Sequence, residues 1–311
     1  MPASFPTLQT TKLLTILITL AISWGCQAQT PRGNMDSQGI ASTTSAPSAE
    51  AHRPASPPAS QNEFFSNDKP PLVPPSGEMQ TSLDSSLLKY SYSSCKVSGP
   101  FVALTFDDGP HPELTPKLLD LLKKRGIVAT FYVIGKNAAA YPEIIQRMAA
   151  EGHEIANHSW SHPPLNRVSS ARLTAELEKT SRLIEQLTGK PPATIRPPYG
   201  ATNARLNRLF REQFQMTSVL WDVDPQDWKY RNSTRVARQI LENTKPGSII
   251  LAHDIHATTI AAIPAVLDGL LQKGFRFVTV KALLEMDQKT ELAEAAMRAE
   301  KTSQPSSSSE F

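Results

Sequence analysis

Seven short apolar runs, each followed by a stretch of helical periodicity, constrain this chain more than any other feature. The runs are 101–106, 128–134, 154–157, 193–196, 216–221, 248–252 and 275–278. The helical stretches are 114–125, 137–151, 170–188, 202–213, 233–243, 258–273 and 279–286. Runs of that length read as buried strands, and strand–helix alternation calls for parallel strands joined by right-handed crossovers. Seven such units predict an α/β fold, a small, incomplete barrel related to the eightfold kind. An open doubly wound sheet is the competing arrangement. No glycine-rich phosphate fingerprint follows any run, which argues against a nucleotide-binding sheet.

The flanks read differently. Residues 1–28 are expected to be an export signal, because Lys12 precedes an apolar run, 13–24, that is too short to span a bilayer. Two processing routes fit: cleavage after Ala28, or lipidation of Cys26 as in a lipoprotein. Residues 29–95 are expected to be a linker; up to 80 they are rich in Pro, Ser, Ala, Thr and Gln and bury too little to offset their ordering entropy. The folded domain is expected over 96–287. The tail, 288–311, starts helical and ends Ser306-Ser307-Ser308-Ser309. The 32 Lys and Arg against 29 Asp and Glu leave a net charge of +3 with no basic run, so no nucleic-acid surface is expected. Two cysteines make no disulfide scaffold, and Cys95 reads as a free or packed thiol.

The chemistry collects at strand ends, which in parallel α/β folds converge on one face. The first strand ends Thr105-Phe106-Asp107-Asp108-Gly109-Pro110. Two adjacent carboxylates cannot both sit desolvated uncompensated, and a metal ion on one would leave the other as a base. After the third strand come His158 and His162, whose imidazoles with Asp108 make a three-ligand site with room for water. The fourth strand ends Arg196-Pro197-Pro198-Tyr199-Gly200; two prolines fix the direction of the Tyr199 amide, and Arg196 offers a permanent charge to a carboxylate. Asp222, Asp224 and Asp227 stand between Trp221 and Trp228, a mixture suited to sugar rings and hydroxyls, though Trp221 reads better as core. His253, ending the run 248–252, is a third metal ligand, a general acid or a packed histidine.

With these sites in order, the chain resembles the polysaccharide deacetylases with the NodB homology domain, carbohydrate esterase family 4. Five motifs carry the resemblance: Thr105-Phe106-Asp107-Asp108-Gly109, His158-Ser159-Trp160-Ser161-His162, Arg196-Pro197-Pro198-Tyr199, Asp224-Pro225-Gln226-Asp227-Trp228 and Leu251-Ala252-His253. It implies a distorted (β/α)7-type barrel. It also implies a divalent metal, zinc first with cobalt or nickel as alternatives, on Asp108, His158 and His162. Asp107 would be the catalytic base paired with Arg196, and His253 the acid tuned by Asp227. The Tyr199 amide would complete an oxyanion hole, with Leu251 and Trp228 shaping the acetyl pocket. The implied activity is removal of N-acetyl groups from GlcNAc-containing polysaccharide, peptidoglycan or chitin oligomers, in the cell envelope. An O-acetyl esterase on xylan or peptidoglycan and a non-catalytic glycan-binding protein are the alternatives. The expected protein is a monomer exported to the periplasm, envelope or medium. Its partners are an N-acetylated glycan, no nucleic acid, and a membrane only through a lipid on Cys26.

Overall fold

A computed structural model of the chain describes residues 89–303. The expected signal with Cys26, the linker up to 88 and the tail from 304 lie outside the described residues. The strands are β1 (Ser91–Tyr92), β2 (Phe101–Asp107), β3 (Thr130–Val133), β4 (Glu154–Asn157), β5 (Thr194–Ile195), β6 (Thr217–Val219), β7 (Ile249–His253) and β8 (Arg276–Phe277). The helices are α1 (Leu114–Lys123), α2 (Gly135–Ala140), α3 (Pro142–Ala150), α4 (Ser170–Thr188), α5 (Ala204–Phe214), α6 (Ser233–Asn243), α7 (Ala257–Gln272) and α8 (Val280–Ser303).

The strands form a parallel sheet in the order β1-β6-β5-β4-β3-β2-β7, with β8 against the start of β2. Its two edges meet through isolated bridges, Ser94 to Ser248 and Val223 to Ile250, and through hydrogen bonds of Ile249 with Asp222. The barrel thus closes without a continuous ladder, as the expectation of a distorted barrel requires. Side chains alternate in and out along each strand. On β2, Leu104 and Phe106 pack outward into the core shared with α1, α3, α6 and α7, while Ala103 joins the inner cluster with Tyr132 and Ile249. The inward row on β2 therefore runs Ala103, Thr105, Asp107, from apolar to charged. Register sets Thr105 beside Leu251 and Asp107 beside His253 on β7.

Three expectations change. The linker boundary at 95 is too late: β1 pairs with β6, and Tyr92 and Cys95 are buried. Strand β1 lies in the polar stretch Ser91-Tyr92-Ser93-Ser94, so no apolar run marks it. The boundary at 288 falls inside α8, where buried Asp287 accepts from the Lys96 amide at 2.6 Å and from Lys89 Nζ at 3.1 Å. Glu291 pairs with Lys89 and Glu294 with Lys96. The helix expected at 137–151 is two, because Pro142 opens α3 and Tyr141 leaves helical geometry. Cys95 is a buried free thiol; burial first, then the Asp287 charge, pushes it up to about 12. Among the described residues no helix is long and apolar enough to cross a membrane.

Candidate active site

Arg196 ties the site together. It is fully buried just after β5, and its guanidinium spends its donors on neighbouring strands. Nη1 donates to Asp107 Oδ1 and Thr105 Oγ1, both at 2.7 Å; Nε and Nη2 donate to the carbonyls of Val219 and Leu220. The Tyr132 ring lies 4.1 Å below it. A buried cation is tolerable when its donors are satisfied and a carboxylate faces it. Its own carbonyl accepts Nδ1–H of His158 at 2.6 Å. That bond fixes the His158 tautomer and turns a bare Nε2 toward the carboxylates.

Asp108 stands at the rim with φ of 75°. Its amide donates to the Tyr132 carbonyl, and its carbonyl accepts from Asn137 on α2. Its Oδ1 is buried without a hydrogen bond, 3.3 Å from His162 Nε2 and 3.5 Å from His158 Nε2. Ligand atoms of the three residues lie within 4.8 Å of one another. Two imidazole nitrogens converging on an orphaned carboxylate oxygen suit a divalent cation. Burial alone would raise the Asp108 carboxyl; the imidazoles of His158, His253 and His162 outweigh it and hold it at about 2. Burial, then His158, lowers the His162 pKa, which keeps its nitrogen available as a ligand.

His253 faces this group from β7, its Nε2 4.0 Å from Asp108 Oδ2. Its Nδ1 and its amide both donate to fully buried Asp227, at 2.8 Å each, and Thr259 of α7 donates to the same carboxylate at 2.7 Å. Burial opposes protonation of His253, but the hydrogen bond and charge of Asp227, with Asp107 and Asp108, raise it to about 9. Tyr199 has φ of 62° between Pro198 and Gly200, and its exposed ring meets His162 edge-on at 4.6 Å. Leu251 is buried in the inward row below His253, and Trp228 stands 51% exposed at the rim.

The structure thus brings Asp107, Asp108, His158, His162, Arg196, Tyr199, Asp227 and His253 together. Leu251 stands beside Thr105 in the register of β7 with β2, and exposed Trp228 follows Asp227 directly in the chain. Five residues of these motifs hold positive φ without being glycine: Asp108, Ser159, His162, Tyr199 and Gln226. Such backbone costs energy and persists where surroundings over-determine it. The sequence reading missed the supports. Asn157 Oδ1 holds the Ser159 amide, and Glu176 of α4 accepts from the Ser161 amide at 2.7 Å and hydroxyl at 2.6 Å. Gly109 lies against the Asp254 carboxylate, where a Cβ would sit 2.3 Å from an oxygen.

The sequence model of the polysaccharide deacetylases matches residues 95–217. The chain is 42% identical over 190 residues to the peptidoglycan-N-acetylmuramic acid deacetylase PdaC of Bacillus subtilis, covering 61% of this chain and 40% of that protein. It is 40% identical over 205 residues to a peptidoglycan-N-acetylglucosamine deacetylase of Bacillus cereus, covering 63% of this chain and 73% of that one. The solved structure of PdaC from Bacillus subtilis superposes with a TM-score of 0.60 at 40% identity, over 64% of this chain and 97% of that one. The chain spans about two fifths of the length of the first curated relatives it matches.

Proposed function

The chain belongs to the polysaccharide deacetylase family, carbohydrate esterase family 4, and on that premise we propose that it hydrolyses N-acetyl groups of a GlcNAc-containing glycan, peptidoglycan first. The observation that carries the reading is one pairing. Asp107, held by Arg196, and His253, held by Asp227, stand side by side on β2 and β7 before the Asp108, His158 and His162 group.

Asp108, His158 and His162 would hold the metal, with zinc ahead of cobalt or nickel. Bound there, it supplies Lewis acidity, polarising the acetamide carbonyl and lowering the pKa of a water. Asp107 accepts a proton from the attacking water as its oxygen bonds to the carbonyl carbon. Arg196 keeps Asp107 oriented and compensates its buried charge. The Tyr199 N–H donates to the oxygen on which negative charge develops. An amine leaves only once protonated. His253, protonated at neutral pH, gives its proton to the nitrogen as the carbon–nitrogen bond breaks, leaving acetate and a glucosamine unit. Leu251 and Trp228 line the approach of the acetyl methyl and the sugar.

The test is acetate release from peptidoglycan, chitin oligomers and acetylxylan, with and without a chelator. Release from the first two, abolished by the chelator, supports the reading; release from acetylxylan alone transfers the chemistry to an ester, and none leaves a binding protein. We further propose export, lipidation at Cys26 and a monomeric state. Cys26→Ser should move the protein from the membrane to the soluble fraction, and an unchanged distribution would favour simple cleavage.

A further inference from the structure

The segment after Trp228 gathers charge that the proposed reaction does not use. Lys229 and Arg231 leave the loop, and Arg235 and Arg238 share one face of α6 at i, i+3 spacing. Tyr230 lies among them, its ring 4.0 Å from the Arg235 guanidinium and 5.2 Å from Lys229 Nζ. These residues line an open groove of about 840 Å³ that has no carboxylate in its wall. Among the described residues none of the four cations forms an ion pair, and Arg235 Nε is buried without a hydrogen-bond partner. The groove adjoins the active site: Arg231 Nη1 donates to the Asp227 carbonyl at 3.2 Å, and half-exposed Trp228 stands at the junction. No run of basic residues marks it in the sequence, because a loop and a helix face assemble it.

Like charges packed together repel, so a cluster whose groove wall holds no counter-charge favours an anion from outside. We infer that this groove binds carboxylates carried by the same glycan whose acetamide enters the cleft. A glycan lying across Trp228 continues into the groove, and charge complementarity then separates two candidate substrates. Peptidoglycan carries carboxylates on its peptide stems, or on its lactyl groups where no stem is attached; chitin carries none. The inference rests on the deacetylase reading and names the substrate feature that would set its preference.

The test is binding, independent of turnover. Titration calorimetry of the full chain would compare a neutral GlcNAc tetramer with a peptide-bearing peptidoglycan tetramer, for wild type, Lys229→Gln/Arg238→Gln and Lys229→Arg/Arg238→Lys. The charge-removing pair should weaken binding of the peptide-bearing tetramer by roughly three- to tenfold, as rim charges do. It should leave the neutral tetramer unchanged, and the charge-keeping pair should behave as wild type. Raising salt from about 0.05 M to about 0.3 M should weaken only the peptide-bearing ligand. Equal weakening of both ligands, or of neither, overturns the inference. So does wild-type binding to phosphatidylglycerol vesicles through the same cations while the two tetramers bind alike. If no glycan releases acetate yet the charge-dependent binding holds, the deacetylase reading falls and the anion groove stands.

Discussion

Asp107 and Asp108 are neighbours with opposite surroundings, and that difference predicts opposite behaviour. Asp107 Oδ1 is committed to Arg196, whereas Asp108 Oδ1 has no donor and faces two imidazoles. Asp107→Asn should keep the metal and lose activity by on the order of 10²–10⁴-fold, the usual cost of a general base. Metal analysis with turnover on one preparation checks this, and loss of the metal would reverse the two roles. His253 gives a second prediction. Burial lowers its pKa and Asp227 raises it, with a net value of about 9. An acid that must be protonated fails as pH rises through its pKa, so the basic limb of turnover should lie near 9. Asp227→Asn removes the main raising partner and leaves burial opposed only by Asp107 and Asp108, so that limb should move to lower pH. A limb that stays in place would remove His253 or its partner from the assignment. The sequence alone left His253 open between ligand, acid and packed residue. What favours the acid in space is the register of β7 beside β2, with Asp227 behind it, and no spacing in the chain encodes that.

At the scale of elements, the loop from His158 to His162 shows how supports escape a sequence reading. It holds two positive-φ residues, Ser159 and His162, and is tied down by Asn157 and by Glu176 from α4. In the chain, Glu176 looks like one more charge on a polar helix, yet it is buried and both its oxygens are used. Arg172 sits 3.7 Å from it one turn earlier. Glu176→Ala should weaken metal affinity by roughly 10–100-fold, the cost typical of partners behind a metal ligand. Glu176→Gln, which keeps one acceptor, should lose less. A fall in melting temperature with unchanged metal affinity would make Glu176 structural only. The long helices were legible because their apolar faces repeat over many turns: α4 and α6 match the expected 170–188 and 233–243. The break between α2 and α3 was not, because one proline after an alanine-rich turn leaves the periodicity almost undisturbed.

For the whole molecule, the barrel is sealed at the end opposite the catalytic residues by segments that carry no motif. Strand β1 extends the sheet edge at β6, and α8 packs Val280, Leu283 and Leu284 into the inner cluster with Tyr92 and Cys95. Asp287 then joins the two ends of the folded domain by accepting from Lys96 and Lys89. The Asp287 contacts are long-range and polar, and β1 lies in a polar stretch, so apolar periodicity marks neither edge of the domain. The barrel's centre was legible, because its strands are apolar runs ending in chemistry. Two shortened chains separate edge from centre. One starting at Ser85 retains β1 and Lys89, and on the composition of the segment removed it should keep wild-type turnover on soluble oligomers. One starting at Lys96 loses the buried Tyr92 side chain, the Lys89 pair with Asp287 and the hydrogen bonds of β1 to β6. Deleting a large buried aromatic costs about 3–5 kcal/mol on its own. That chain should therefore show a clear fall in urea midpoint, with the active-site residues still in place and activity surviving at low temperature. Equal midpoints would mean that β1 is an ornament of the fold, and that the domain begins at 96.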